Sequence, residues 1–285
     1  MIASSLEIAP EAVAAHYDDL DYFYRDVWGE HVHHGLWLRG DESREEAVRQ
    51  LVQLVAREAR IERDSRVCDI GCGYGATARM LAAELDAEVT AITVSAAQHA
   101  FARAAHGTQT THASRVTYLL GDWLANDLAA ASFDAAIAIE SSEHMPDLTA
   151  FFQQAARVLK PDGRLVVCAW LSAEQPTRNA IKWLLEPICR EGRMPQLATS
   201  GEYQSLAAAA GFRMERFEDI TRGVRRTWSA IVRRLLVKFV TAPRFLRFLF
   251  TPHAQNRIFA LTILRIWVAY RISAMRYGVF TLVKR

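Results

Sequence analysis

At 285 residues, with 51% hydrophobic side chains and a net charge of +2, the chain can fill the core of one large domain, and disorder is excluded. The charge is unevenly divided. Thr221 to Arg285 carries fourteen Lys or Arg and no Asp or Glu, which leaves twenty basic against thirty-two acidic residues in 1–220 and implies a separate task for the tail.

The opening stretch MIASSLEIAPEAVAAHYDDL is acidic and lacks the basic-then-apolar layout of a secretory signal. No 18-residue apolar run occurs; Ile258 to Ile272 comes nearest and is broken by Arg265, so a cytoplasmic location is expected. Tyr17 and the segment WGEHVHHGLW (28–37) come before any strand. His31 and His33 alternate on an extended chain while His34 faces the other way, and no carboxylate or cysteine partner is fixed, so no metal site is expected. Ser43 is placed to cap a helix running to Arg60, with Glu46 three residues on and Ala47, Val48, Leu51, Leu54 and Val55 on one face.

RVCDI (66–70) reads as the first strand, EVTAITV (88–94) the second, RVTYLLGD (115–122) the third, FDAAIAIE (133–140) the fourth and RLVVCAW (164–170) the fifth, with helices between them. Pro146 is expected at the first position of a helix that runs to Leu159, where a PDG turn follows. A helical region near 178–210, a strand at 211–220 and a last strand at 277–285 complete an α/β fold, a doubly wound sheet of seven mostly parallel strands. Apolar-basic helices at about 224–249 and 254–274, broken at Pro243 and Pro252, form an inserted cover before the last strand. The expected units are a lid (1–60), a core (61–220), the cover (221–275) and the closing strand (276–285). Cys68, Cys72, Cys168 and Cys189 lack CxxC spacing and are expected as reduced core thiols.

Three loops follow strands at the ligand-binding end of such a sheet. Gly71-Cys72-Gly73-Tyr74-Gly75 lets the backbone turn tightly beside a ligand, with Asp69 two residues earlier to meet a cation. Thr93, Ser95 and Gln98 follow the second strand, where an acid would usually hold an NAD ribose, and Asp122-Trp123 follows the third. IESSEHMPDL (139–148) concentrates Glu140, Glu143 and His144. His144 can serve as a general base with either glutamate orienting it, or simply line the pocket.

These motifs resemble class I S-adenosylmethionine-dependent methyltransferases, of Rossmann-like fold. ESSEHMPD and WGEHVHHG, together with TVS…Q, GDW and KPDGR, are similar to gamma-tocopherol methyltransferases over roughly 16–170, and the TVS…Q feature is shared with cyclopropane fatty acid synthases. The resemblance implies S-adenosylmethionine as cofactor, with Asp69, Gly71 and Gly73 on its methionine part, Thr93, Ser95 and Gln98 on the ribose and Asp122 and Trp123 on the adenine. Tyr17 would close over the sulfonium, and His33, His34 and Trp37 would face the acceptor. It implies transfer to a small or lipid-like, apolar or aromatic acceptor at carbon or oxygen. Amine N-methylation, cyclopropane formation on an unsaturated lipid and non-catalytic binding remain the alternatives. The basic cover 221–275 is open to three readings: packing on the acidic body, a homodimer contact, or peripheral contact with an anionic membrane. Nucleic acid is not expected as a partner, because no recognition motif accompanies the charge.

Overall fold

The computed structural model describes residues 1–4, 8–107, 115–241 and 254–285. The chain begins with a two-residue strand, β1 (Ile2–Ala3), then helices α1 (Pro10–Asp19), α2 (Asp21–Val27) and α3 (Arg44–Glu58). Ser43 caps α3 by accepting the Glu46 N–H at 3.0 Å, and the predicted face of Ala47, Val48, Leu51, Leu54 and Val55 is buried.

Strand and helix then alternate: β2 (Arg66–Ile70), α4 (Ala76–Leu85), β3 (Glu88–Thr93), α5 (Ala96–Gly107), β4 (Val116–Leu120), β5 (Phe133–Ile139), α6 (Leu148–Val158) and β6 (Leu159–Ser172). A helical stretch follows, α7 (Arg178–Ala180) and α8 (Glu186–Glu191) joined by a π-turn over Ile181–Leu185. Next come β7 (Gln196–Leu197), α9 (Ser200–Ala209), β8 (Phe212–Asp219), α10 (Thr221–Val224), α11 (Arg226–Thr241), α12 (Ala254–Arg271) and β9 (Met275–Lys284).

The main sheet has seven strands in the order β4-β3-β2-β5-β6-β9-β8; β9 runs antiparallel to both neighbours. Order reverses beside β2, so the glycine loop after β2 and the loop after β5 open at the same crevice. Apolar layers cover both faces. Leu51, Val55, Tyr74 and Leu81 belong to one layer and Phe151, Phe152, Tyr203 and Phe212 to the other. All four cysteines are free, and only Cys72 is less than fully buried. No helix among the described residues is long and apolar enough to cross a membrane.

Three local expectations are corrected. Pro146 does not open α6; Asp147 is the cap, accepting the Ala150 N–H at 3.0 Å, and Pro146 lies one residue outside. The 178–210 region is interrupted by β7, which pairs with β1 at Ile2↔Leu197 and ties the first residues of the chain to the 193–197 loop. The PDG turn lies within β6, where Asp162 takes φ of 60° and the pairing with β5 shifts register. The expected breaks at Pro243 and Pro252 lie outside the described residues.

Candidate active site

Two adjoining cavities of about 100 and 80 Å³ occupy the crevice, and Tyr17, Val32, Glu140 and His144 line both. The first is bounded by Gly71, Gly73, Thr93, Gln98, Asp122 and Trp123. Gly71 and Gly73 have φ of 76° and 55°, a region costly for other residues. A side chain on Gly71 would put its Cβ 2.3 Å from Ser141 Cβ. At Gly73 the nearest atom would be Gln98 Nε2 at 3.9 Å, so that Cβ would instead project into space a ligand can use.

Asp69 is 3% exposed, and its Oδ2 has no hydrogen-bond partner. Burial pushes its carboxyl up to about 7. Asp69 is not among the residues lining either cavity, but an orphaned buried carboxylate oxygen two residues before the glycine loop has the chemistry to meet the ammonium end of the donor that the resemblance implies. Thr93 Oγ1 donates to Gln98 Oε1 at 2.9 Å, and the pair lines the cavity wall. Asp122 lines the same cavity while Oδ1 accepts the Leu124 N–H at 2.9 Å. Trp123 is 2% exposed and donates its indole N–H to Phe151 O at 3.3 Å, so it is at once a core residue and part of the cavity wall.

Ser95 is not on that wall. Its Oγ accepts the Gln98 N–H at 3.1 Å, capping α5, and donates to Asp18 Oδ1 at 2.5 Å. Asp18 also accepts the Ala97 N–H at 3.1 Å. A carboxylate from α1 thus completes the N-terminus of α5, which docks the lid on the core.

Between the cavities, His144 Nδ1 lies 3.2 Å from Arg193 O, and its Nε2 lies 3.0 Å from the Tyr17 hydroxyl. A carbonyl only accepts, so Nδ1 carries the proton and Tyr17 donates to Nε2. Burial lowers the His144 pKa, against smaller opposing effects of the Arg193 carbonyl and Glu140, which leaves Nε2 unprotonated at neutral pH. Neither glutamate hydrogen-bonds His144, contrary to expectation.

Glu140 instead accepts four donors: the His34 N–H at 2.7 Å, His34 Nδ1 at 3.0 Å, Trp170 Nε1 at 2.8 Å and the Tyr277 hydroxyl at 2.7 Å. Trp228 Nε1 donates to His34 Nε2 at 2.8 Å, which fixes the His34 proton on Nδ1. Burial would raise the Glu140 carboxyl, but His34 and these hydrogen bonds outweigh it and hold it at about 2. Such a group is a poor base. It joins the lid (His34), β5, β6 (Trp170) and β9 (Tyr277), at a φ of 54° that only surrounding contacts sustain.

Glu140→Gln places an amide among donors, and we expect a loss of about 3 kcal/mol, roughly 5–10 °C in melting temperature by calorimetry. The carboxyl falls from an ordinary 4.5 to about 2, so this contribution is present above pH 4.5 and disappears as pH falls through 2. An unchanged melting temperature at pH 7 would show that the hub carries no stability.

The second cavity is mostly apolar, with Trp28, Trp170, Trp228, Met194, Ile263 and Ile266 in its walls beside His34 and Glu143. Burial drives the Glu143 carboxyl up to about 8 even though Oε1 accepts the Trp170 N–H at 2.5 Å. It is therefore largely protonated at neutral pH.

Of the three residues expected to face the acceptor, only His34 lines the second cavity. His33 is buried in a chain in which its Nδ1 meets His34 O at 2.8 Å and its Nε2 meets His31 Nδ1 at 3.1 Å. Trp37 borders neither cavity; its Nε1 donates to Glu42 O at 3.3 Å on the far side of the cover. Among the described residues, no group of three or more His, Cys, Asp or Glu could hold a metal.

Trp170, Tyr277 and the α12 residues Ile263 and Ile266 did not emerge from the sequence. Trp170 had a usable signal, since like Glu140 it sits at the ligand-binding end of a core strand.

A family model described as mycolic acid cyclopropane synthetase matches residues 5–241. The chloroplastic tocopherol O-methyltransferase of Arabidopsis thaliana is 27% identical over 251 residues, 82% of this chain and 72% of that protein. The 27-O-demethylrifamycin SV methyltransferase of Amycolatopsis mediterranei is 31% identical over 226 residues, covering 79% of this chain and 82% of its own. In fold, the cyclopropane synthase MmaA2 from Mycobacterium tuberculosis superposes with a TM-score of 0.83 at 23% identity, over 99% of this chain and 100% of that one.

Proposed function

The chain belongs to the mycolic acid cyclopropane synthetase family and is an S-adenosylmethionine-dependent methyltransferase, and on that premise we propose that it methylates a hydroxyl oxygen of a small, largely apolar acceptor. The observation that carries this reading is the Tyr17–His144 pair at the junction of a glycine-loop cavity and an apolar one. An oxygen acceptor has a proton to lose, and the pair offers a basic nitrogen where that proton would leave. The relatives named above add support, being an O-methyltransferase of tocopherol and a methyltransferase of an O-demethylated rifamycin.

S-adenosylmethionine supplies an electrophilic methyl group on a sulfonium. Asp69 would hold its ammonium group, the backbone of Gly71 and Gly73 its methionine part, Thr93 and Gln98 the ribose, and Asp122 and Trp123 the adenine. Trp28, Trp170 and Trp228 exclude water from the acceptor and orient it, and positioning of this kind is worth several kcal/mol. The acceptor O–H transfers its proton to Tyr17 Oη as Tyr17 passes its own to His144 Nε2. With the donor bound, the acceptor oxygen would take its methyl group and S-adenosylhomocysteine would be the leaving group. His144 then carries the proton, with Arg193 O fixing its ring.

The test is release of S-adenosylhomocysteine with a panel of prenylated phenols, hydrophobic alcohols, tertiary and secondary amines and unsaturated phospholipids, with the position of the added carbon read from product NMR. Phenols or alcohols are expected to gain one methyl on oxygen. Methylation of a ring carbon, turnover confined to amines, or a gain of CH₂ across a lipid double bond would replace this reading.

A further inference from the structure

The cover encloses a second feature, remote from the crevice. Between α3, α11 and α12 lies an open basin of about 940 Å³ into which six arginines turn: Arg44, Arg225, Arg226, Arg233, Arg234 and Arg271. Among the described residues, Glu42 is the one acid in its wall. Its carboxylate is consumed by the backbone N–H groups of Leu38, Arg39 and Gly40, at 2.7 to 2.8 Å.

Three of the cations have local roles. Arg226 bonds Gly40 O, Arg271 lies 4.1 Å over the Trp267 ring, and Arg44 Nη2 donates to His31 O at 3.3 Å. Among the described residues, Arg225, Arg233 and Arg234 have neither an ion pair nor a side-chain hydrogen bond. Burial, and after it the repulsion of Arg234, brings the Arg44 pKa down to about 10. Like charges gathered without counterions cost the fold free energy, which a bound anion would recover.

We propose that this basin is a binding site for a phosphate group. Phosphate presents several acceptor oxygens and accepts the paired N–H groups of guanidinium side chains, which suits a site lined by arginines. Two sources share that chemistry, a soluble phosphate or diphosphate and the headgroup of an anionic lipid. Leu236 and Val237, 60% and 55% exposed on α11 beside the basin, make the lipid arm worth measuring.

The site bears on the crevice through its helices. Ser229 of α11 and Tyr270 of α12 line the basin, while Trp228 and Ile266 of the same helices wall the acceptor cavity. A ligand that draws α11 and α12 together steadies that wall.

The test uses the full chain and the double variant Arg233→Gln/Arg234→Gln, with no methyl transfer required. Calorimetric titration with inorganic pyrophosphate at low salt measures the soluble source. Co-sedimentation with phosphatidylglycerol–phosphatidylcholine vesicles, against phosphatidylcholine alone, measures the headgroup. Binding in either arm that weakens about tenfold or more in the variant supports the site and identifies its source; two removed cations are expected to have an effect of that size. Arg233 is exposed and Arg234 half-buried, so the variant is expected to fold, and an unchanged circular dichroism spectrum and S-adenosylmethionine affinity would verify it. No binding in either arm, or binding equal in wild type and variant, overturns the proposal.

Discussion

Asp69→Asn is expected to weaken S-adenosylmethionine binding about 100-fold, because removal of one partner of a buried charge pair typically costs about 2–5 kcal/mol. Asp69 Oδ2 is buried and unbonded near the end of β2. Burial raises the carboxyl from 3.8 to about 7, and a cation placed against it must lower it again. Donor binding therefore expels a proton, and affinity should rise up to about tenfold per pH unit until pH 7 is passed, then fall again as the donor's own α-ammonium loses its proton near about 8. The sign for stability is opposite. A carboxyl raised in the fold favours the folded state below its unfolded pKa near 3.8, and that contribution is lost as pH rises through 7. The asparagine variant should consequently melt higher than wild type at about pH 8 without donor, even as it binds donor poorly. Calorimetry from about pH 5.5 to 8.5, in two buffers of different ionisation enthalpy, measures both affinity and proton release. A wild-type affinity flat across that range, and matched by the Asp69→Asn variant, would remove Asp69 from the donor site.

What the sequence disclosed of this site divides along a physical line. The glycine loop was legible because Gly71 and Gly73 are demanded by backbone geometry, which a spacing records directly. The sheet was legible for a similar reason: buried parallel strands appear as apolar runs at regular intervals. Side-chain direction in irregular segments leaves no such trace. Of three neighbouring candidates, His34 reaches the cavity while His33 and Trp37 do not, and the choice depends on Glu140 and Trp228, more than 100 residues away. Ser95 sits within a motif that suggests a ribose contact, yet its hydroxyl is taken by the start of α5 and by Asp18. Glu140 shows the same limit more sharply. Its place at the end of a core strand marks it as important, but only the convergence of His34, Trp170 and Tyr277 shows that it ties the lid to three strands. The charge of the tail was plain in composition, whereas its concentration into one basin required α3, α11 and α12 to meet.

His144→Gln is the more demanding test of the proposed chemistry. Glutamine can accept from the Tyr17 hydroxyl and donate to Arg193 O, so it can replace both observed hydrogen bonds while having no basic nitrogen. If His144 only shaped the cavity, this variant would turn over near the wild-type rate; as a general base its loss is expected to reduce kcat about 10²- to 10⁴-fold with donor affinity unchanged. Tyr17 extends the argument. His144 Nε2 already receives the Tyr17 hydroxyl at 3.0 Å, so the shortest path from an acceptor proton to that nitrogen passes through the phenol. Burial raises the Tyr17 pKa well above its ordinary value, so its hydroxyl keeps a proton to pass on and does not rest as phenolate. Tyr17→Phe should then produce a loss of the same order as His144→Gln. Because the two groups act as one unit, the double variant should be little slower than either single variant. Losses that multiplied, with the double variant slower by the product of the two, would assign Tyr17 and His144 to independent tasks. In that case the proton would have to leave by another route, and Glu143, lining the apolar cavity with a carboxyl raised to about 8, would be the next group to replace.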